Sequence, residues 1–307
     1  MTTNAHTPKR LLVGLALPHH AADPDASFSK HDHQLIEQVI WYASHAGAEL
    51  TFAHVLTNDS QEVRDALREC CTNALGQAVQ MATNKGITAH TAVLEGISWR
   101  QLILAALNNN HDMIAVSPNT QGPRSLMDRL FHGSTARRLL RNCPVPVWIA
   151  TPATRLPLQK ILVPVDFSDV SADTVALATA LADSTGAQPI ALHCPQYPGD
   201  VVARRSVDAH EAMVAYHAEV HQRIDASFDK LLGDQRQRWK TFINDDDIYQ
   251  ALPRLVSAQN IDLVVMGSVA RTGLAGFIMG NTAEKILNNL EAAAWVIKPK
   301  GWQSPIQ

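Results

Sequence analysis

Residues 264–284, VVMGSVARTGLAGFIMGNTAE, place glycines at 267, 273, 276 and 280 between an apolar run and a helical pattern. A helix that opens after a glycine turn exposes unpaired N–H groups and a partial positive charge, which together can hold a phosphate without a basic side chain. Glycine also lets the backbone approach the anion closely and reach positive φ. The same pattern can serve only to turn the chain, so two readings stand: a phosphate cradle or a shaped loop. Asn281 followed by Glu284 has the spacing of a capped helix start, and Thr282 offers a hydroxyl one position later. No lysine follows the glycines as in a P-loop. No Ser–His–Asp or Cys–His arrangement emerges that would supply a nucleophile and base.

Two further polar clusters carry residue types that can bind metal. His19, His20, His31 and His33 lie near Asp23, Asp25 and Asp32, and His217 and His221 are four residues apart on an expected helix, with His210 before them. Imidazole and carboxylate suit zinc or nickel, but neither group has a recognised ligand spacing, so no metal is expected. The run NDDD at 244–247 reads as a helix entry, because carboxylates favour that end of a helix.

These residues sit in a chain of 307 with 46% hydrophobic and 18% charged residues and a formal net charge of −3. Such a composition fills real cores, and no global positive field draws nucleic acid. Cys70, Cys71, Cys143 and Cys194 show no paired spacing, which fits a reducing compartment. No apolar run approaches the ~20 residues of a membrane span, and no secretory segment is evident. A cytoplasmic location is expected.

The elements that must position the glycine loop appear twice. KRLLVGLALPHH (9–20) resembles QKILVPVDFSDV (159–170), and AELTFAHVL (48–56) resembles AQPIALHCP (187–195), with His54 against His193. HDMIAVS (111–117) resembles IDLVVMGS (261–268), with Asp112 against Asp262, and CPVPVWIATP (143–152) resembles EAAAWVIKP (291–299), with Trp148 against Trp295. Four matches in one order point to a duplicated domain. The proline-bearing stretch 151–159 marks the join, which gives domains of 9–152 and 159–300. In the second copy, strands are expected at 161–165, 190–193, 240–243, 261–266 and 294–297, with helices between them. One of these starts at Ser168 or Asp169, faces the sheet with Val175, Ala178 and Ala182, and stops at Gly186; another spans 283–290. Alternating strands and helices imply an α/β fold of two parallel sheets covered on both faces, with ligands at the carboxyl ends of the strands.

The second copy resembles the universal stress protein family. The resemblance rests on ILVPVDFS, ALHC, IDLVVMGS, Ala270–Gly273, GNTAEKIL and WVIKP, covers nearly all of 159–299 and extends more faintly over 9–152. It implies two tandem five-stranded, Rossmann-like domains, closest to the E-type. It also implies ATP or AMP as a candidate ligand of the C-terminal domain, held through a G-x2-G-x9-G-[ST] loop. Carried over, Gly267 and Gly280 are motif glycines. Asp166 is the nucleoside-side carboxylate, and Pro164, Val165 and Met266 line the adenine region. Ala270, beside Arg271, stands where the second glycine belongs, and Asn281, beside Thr282, where Ser or Thr belongs.

The first copy departs further. Ala16 faces Asp166 in the alignment, so no carboxylate is expected there, and Ser117 faces Gly267. Only Gly133-Ser134 of its loop is kept, and Arg137 and Arg138, expected to point to solvent, replace the acidic first turn.

Family members pair through the fifth strand. The two copies are therefore expected to form an intramolecular pseudo-dimer, with further dimerisation open. The function implied is a non-catalytic stress-response sensor or adaptor with a small-molecule ligand, unknown protein partners, and neither nucleic acid nor membrane insertion. The alternatives are a weak ATP-hydrolysing enzyme and a carrier of an apolar or lipid-like ligand.

Overall fold

A computed structural model of the chain describes residues 7–17, 28–57, 60–117, 134–152, 154–197, 209–268, 287, 290–302 and 304–306. Among these the N-terminal half runs β1 (Arg10–Gly14), α1 (Lys30–Ala46), β2 (Glu49–Leu56), α2 (Gln61–Thr83), β3 (Ala89–Glu95), α3 (Ser98–Asn108), β4 (Met113–Val116), α4 (Ser134–Asn142) and β5 (Val147–Ile149). The C-terminal half runs β6 (Lys160–Pro164), α5 (Asp169–Thr185), β7 (Gln188–His193), α6 (Ala209–Leu232), β8 (Lys240–Ile243), α7 (Ile248–Gln259), β9 (Leu263–Gly267) and β10 (Ala293–Ile297). Expected strands are found within two residues of their ends. The expected helix at 283–290 lies outside the described residues except for Leu287 and Leu290, both buried.

The strands form one sheet in the order β3-β2-β1-β4-β5-β10-β9-β6-β7-β8. Every neighbouring pair is parallel except β5 and β10, which run antiparallel with Trp148 opposite Trp295. The chain is thus a pseudo-dimer of two parallel sheets. The short apolar fifth strands, which would be open edges in either half alone, cover one another. The residues matched in sequence as Trp148 and Trp295 meet at the pseudo-dyad, with ring centroids 5.3 Å apart. Tyr42 of α1 packs its edge on both indoles, at 5.8 and 5.2 Å, and donates to Pro8 O at 2.7 Å. Beyond β10 the chain crosses back onto the N-terminal half: Lys298 Nζ donates to Leu140 O at 2.6 Å, and Ser304 Oγ to Asn142 O at 2.9 Å. Both carbonyls belong to the exposed-dipole end of α4.

Local devices repeat as well. Ser29 and Ser168 cap α1 and α5 by accepting from the N–H three residues on, Asp32 and Ser171. Gly47 and Gly186 end these helices in the left-handed region, at φ 61° and 74°. Val175, Ala178 and Ala182 of α5 are buried against the sheet. Asp112 and Asp262 accept from the two N–H groups that open β1 and β6, at 2.8 and 3.0 Å in each half. That shared task explains the sequence match at these aspartates.

Candidate functional site

In each half the strand order reverses where β1 meets β4, or β6 meets β9, and the carboxyl ends there form the cleft that doubly wound sheets use for ligands. Pro164, Val165 and Asp166 lie at the end of β6; Met266 and Gly267 end β9 across the seam. Val165 and Met266 are buried at 5% and 4% exposure, while Pro164, Asp166 and Gly267 are half-buried. The structure therefore brings together these five residues of the site read from sequence. Ala270, Arg271, Gly280, Asn281 and Thr282 lie outside the described residues, as do Gly273 and Gly276.

The seam itself differs between the halves. β1 stays paired with β4 to its last residue, Gly14 opposite Val116. β6 pairs with β9 only at Ile161 and Leu162, opposite Leu263 and Val264. The cause is local. Val165 N–H points to the other side, donating to Leu192 O at 2.8 Å. Successive backbone groups alternate in direction, so residue 164 must face β9 with its nitrogen, and proline carries no hydrogen there. A Cβ on Gly14 would meet Val116 and Leu102 side chains at 3.1 Å, so the N-terminal seam closes tightly over a glycine.

Asp166 is held by a compact set of donors. Its Oδ1 accepts from Ser168 N at 3.1 Å, Ser168 Oγ at 2.5 Å and Ser171 Oγ at 2.6 Å. Asp166 N–H in turn donates to Ser171 Oγ at 2.9 Å. The turn that permits this places Phe167 in the left-handed region at φ 60°, a conformation that strains a bulky residue. Phe167 is retained by ring contacts with His193 at 4.6 Å and Phe228 at 5.2 Å. His193 Nδ1 lies 2.7 Å from Val165 O, and His54 Nδ1 lies 2.9 Å from Leu15 O in the other half. The matched histidines thus tie the first strand's end to the second strand in both copies, a positioning task. Ser268, directly after Gly267, is fully buried, and its hydroxyl has no hydrogen-bond partner among the described residues. Sequence reading missed Phe167, Ser171 and Ser268; only Ser171, at the third position after a capping serine, carries a readable signal.

The N-terminal cleft corrects one expectation. Ala16 does remove the strand-end carboxylate, but Asp32, from the first turn of α1, brings another to the Ala16 N–H, where Ser171 Oγ meets the Asp166 N–H in the other half. Asp32 Oδ1 accepts from Ala16 N at 3.4 Å and Ser117 Oγ at 3.1 Å, and Oδ2 accepts from Ser29 Oγ at 2.7 Å. The side chain is 1% exposed, and burial raises its carboxyl above the usual value against the pull of these donors. A second expectation holds for one residue only: Arg138 is exposed, over the Trp99 ring, whereas Arg137 is half-buried.

The remaining polar clusters among the described residues are joined by hydrogen bonds and ring contacts. Tyr197 donates to Asp245 Oδ1 at 2.5 Å, His221 Nε2 lies 2.9 Å from the same oxygen, and His217 stacks on Tyr197 at 3.8 Å. Burial alone would raise the Asp245 carboxyl, but Tyr197 and His221 outweigh it and hold it below the usual value. Asp247 caps α7 by accepting from Tyr249 N at 2.8 Å, as the NDDD run suggests. His19, His20, Asp23 and Asp25 lie outside the described residues, and among those described no three His, Cys, Asp or Glu side chains converge as metal ligands. All four cysteines are free, and burial pushes the Cys143 and Cys194 thiols up to about 12, where neither is a thiolate nucleophile. No helix among the described residues is long and apolar enough to cross a membrane.

Comparison with known proteins agrees with this architecture. The chain is 24% identical over 236 residues to Universal stress protein E of Escherichia coli K12, covering 68% of this chain and 67% of the relative. It is 24% identical over 260 residues to the Universal stress protein E homolog of Haemophilus influenzae, covering 78% and 81%. A universal stress protein from Archaeoglobus fulgidus shares the fold, with a TM-score of 0.70 and 18% identity across 94% of this chain and 98% of that one. Residues 24–151 and 157–298 each match the Universal stress protein family, and the chain belongs to that family as a tandem, E-type member.

Proposed function

We propose that this is a non-catalytic, cytoplasmic stress-response protein. Its C-terminal domain, 159–300, binds an adenine nucleotide, ATP or AMP, and its N-terminal domain, 9–152, serves as the paired scaffold. The observation that carries the reading is the strand end beside Asp166: the β6–β9 ladder stops before Pro164, which has no N–H to give β9, next to a carboxylate already fixed by Ser168 and Ser171. A carboxylate oriented in advance receives donors of a nucleoside without reordering itself, which lowers the cost of binding. Pro164, Val165 and Met266 supply the apolar wall. Gly267, Ala270, Arg271, Gly280, Asn281 and Thr282 supply the loop that would meet the phosphates. Against an enzymatic role stand the high-lying thiols and the employment of the cleft histidines in backbone ties. Bound nucleotide would act by shifting the conformation or partner choice of the domain.

The test is direct. Small molecules released by denaturing the purified protein are identified by mass spectrometry, and AMP and ATP are titrated into ligand-free protein. Asp166→Ala should weaken binding on the order of 10–100-fold, the value of a hydrogen bond to a charged group. Unaltered affinity in that variant, or no adenylate affinity in the parent, would remove the reading. Steady ADP production that Asp166→Ala abolishes would replace it with an ATPase.

A further inference from the structure

Among the described residues, the N-terminal cleft differs from the C-terminal one at several matched positions. Gly14 keeps the ladder paired to the end of β1, where Pro164 lacks the N–H to continue it in β6. Ser117 puts a hydroxyl where Gly267 has no side chain. Asp32 puts a carboxylate where Ser171 has a hydroxyl, each being the third residue of the helix that follows its capping serine. These changes act together. Ser117 Oγ reaches across the seam from the end of β4 to Asp32 Oδ1 at 3.1 Å, and Ala16 N–H closes on the same oxygen from the end of β1. With Ser29 on Oδ2, the carboxylate meets a hydrogen-bond donor on each oxygen and retains 1% exposure. The donors at this strand end, Ala16 N–H and the Ser29 and Ser117 hydroxyls, are already engaged by an internal carboxylate. A ligand phosphate would have to displace it while facing its charge.

We propose that Asp32 and Ser117 latch the N-terminal cleft shut against phosphate-bearing ligands, so that the tandem chain binds one nucleotide and not two. The inference rests on the nucleotide reading of the C-terminal cleft and deepens it by assigning the residues that exclude the second site. Asp32 and Ser117 act as specificity determinants, through occupancy and charge. The C-terminal counterparts define what would unlatch them: Ala16→Asp, Asp32→Ser and Ser117→Gly together rebuild the arrangement of Asp166, Ser171 and Gly267.

Equilibrium dialysis of the full chain with labelled AMP and ATP reads the stoichiometry. The parent should bind one nucleotide, and Asp166→Ala should lose it. The triple variant should bind two, and the same variant carrying Asp166→Ala should bind one. Two nucleotides on the parent, or one on the parent with none gained in the triple variant, overturns the latch. No binding by the parent with one gained in the triple variant overturns the C-terminal reading and upholds the latch; no binding by either overturns both. Photolabelling of the unmodified chain with 8-azido-AMP needs no variant to fold: label should fall within 159–300, and label within 9–152 would defeat the proposal.

Discussion

The two halves of this molecule keep the same frame and differ at its mouth. Both tie the first strand to the second through a histidine on the carbonyl at Leu15 or Val165, and both hold the strand's opening N–H groups with an aspartate. Both begin the next helix with a serine cap and end it with a left-handed glycine. Yet at one mouth the ladder runs to the last residue of β1 beside a buried carboxylate, and at the other it stops two residues short of the end of β6. The difference shows how few side chains separate a scaffold from a candidate site once the backbone is duplicated. It also shows that a carboxylate can reach the mouth by two routes, from a helix in one copy and from a strand end in the other.

The strongest way to break the comparison is at the contact the halves share. Trp295 is fully buried and Trp148 is 3% exposed, and each packs on the other and on Tyr42. Trp295→Ala should cost about 3–5 kcal/mol of folding stability, the usual loss for a large buried aromatic. The loss should lower the unfolding of both halves together in urea, read by circular dichroism. Two separate transitions in the parent chain, with only the later or the earlier shifted, would show that the halves fold independently and that the ten-stranded sheet is not one cooperative unit.

A finer comparison uses the matched aspartates. Asp112 gives one oxygen to each N–H, whereas Asp262 gives Oδ2 to both. Asp262 is 4% exposed and Asp112 is half-buried. Leaving buried donors unpaired costs about 1–3 kcal/mol, so Asp262→Ala should fall at the upper end of that range and Asp112→Ala at the lower. Equal losses in thermal unfolding would mean that solvent reaches both strand starts alike.

The frame was legible in the sequence because it is built from repeats of local rules. Apolar runs gave the strands, Ser168 and Gly186 gave the ends of α5, and the matched Trp148 and Trp295 marked the strands that meet. The mouth was less legible because its geometry depends on register. Pro164 is an ordinary strand residue until one knows that its nitrogen faces β9 and not β7. Asp32 reads as a helix-start carboxylate, and nothing in its spacing indicates that it joins Ala16 at the end of β1 to Ser117 beyond β4, 85 residues away. Phe167 carries no sign of its positive φ, since side-chain type argues against that conformation and the Asp166 turn together with tertiary ring contacts holds it there.

The smallest effect separates the two mouths by titration. Burial raises the Asp32 carboxyl above 3.8, and the donors Ser29, Ala16 N–H and Ser117 only partly counter it. The native state therefore holds this proton more tightly than the unfolded chain does. Its contribution to stability is fully present below the unfolded value and is lost as pH rises through the raised native one. Ser171, at the matching place in the C-terminal half, carries no such charge change. Comparing the parent with Asp32→Asn cancels every other carboxylate: the parent should gain stability relative to the variant as pH falls through this window, by at most about 1.4 kcal/mol per pH unit. Ser117→Ala should steepen that gain, because it removes a donor that favours the charged form. The opposite slope would mean that the donors outweigh burial, and the plug would then be a stabilised anion held by its hydroxyls instead of a desolvated one held in place by the closed seam.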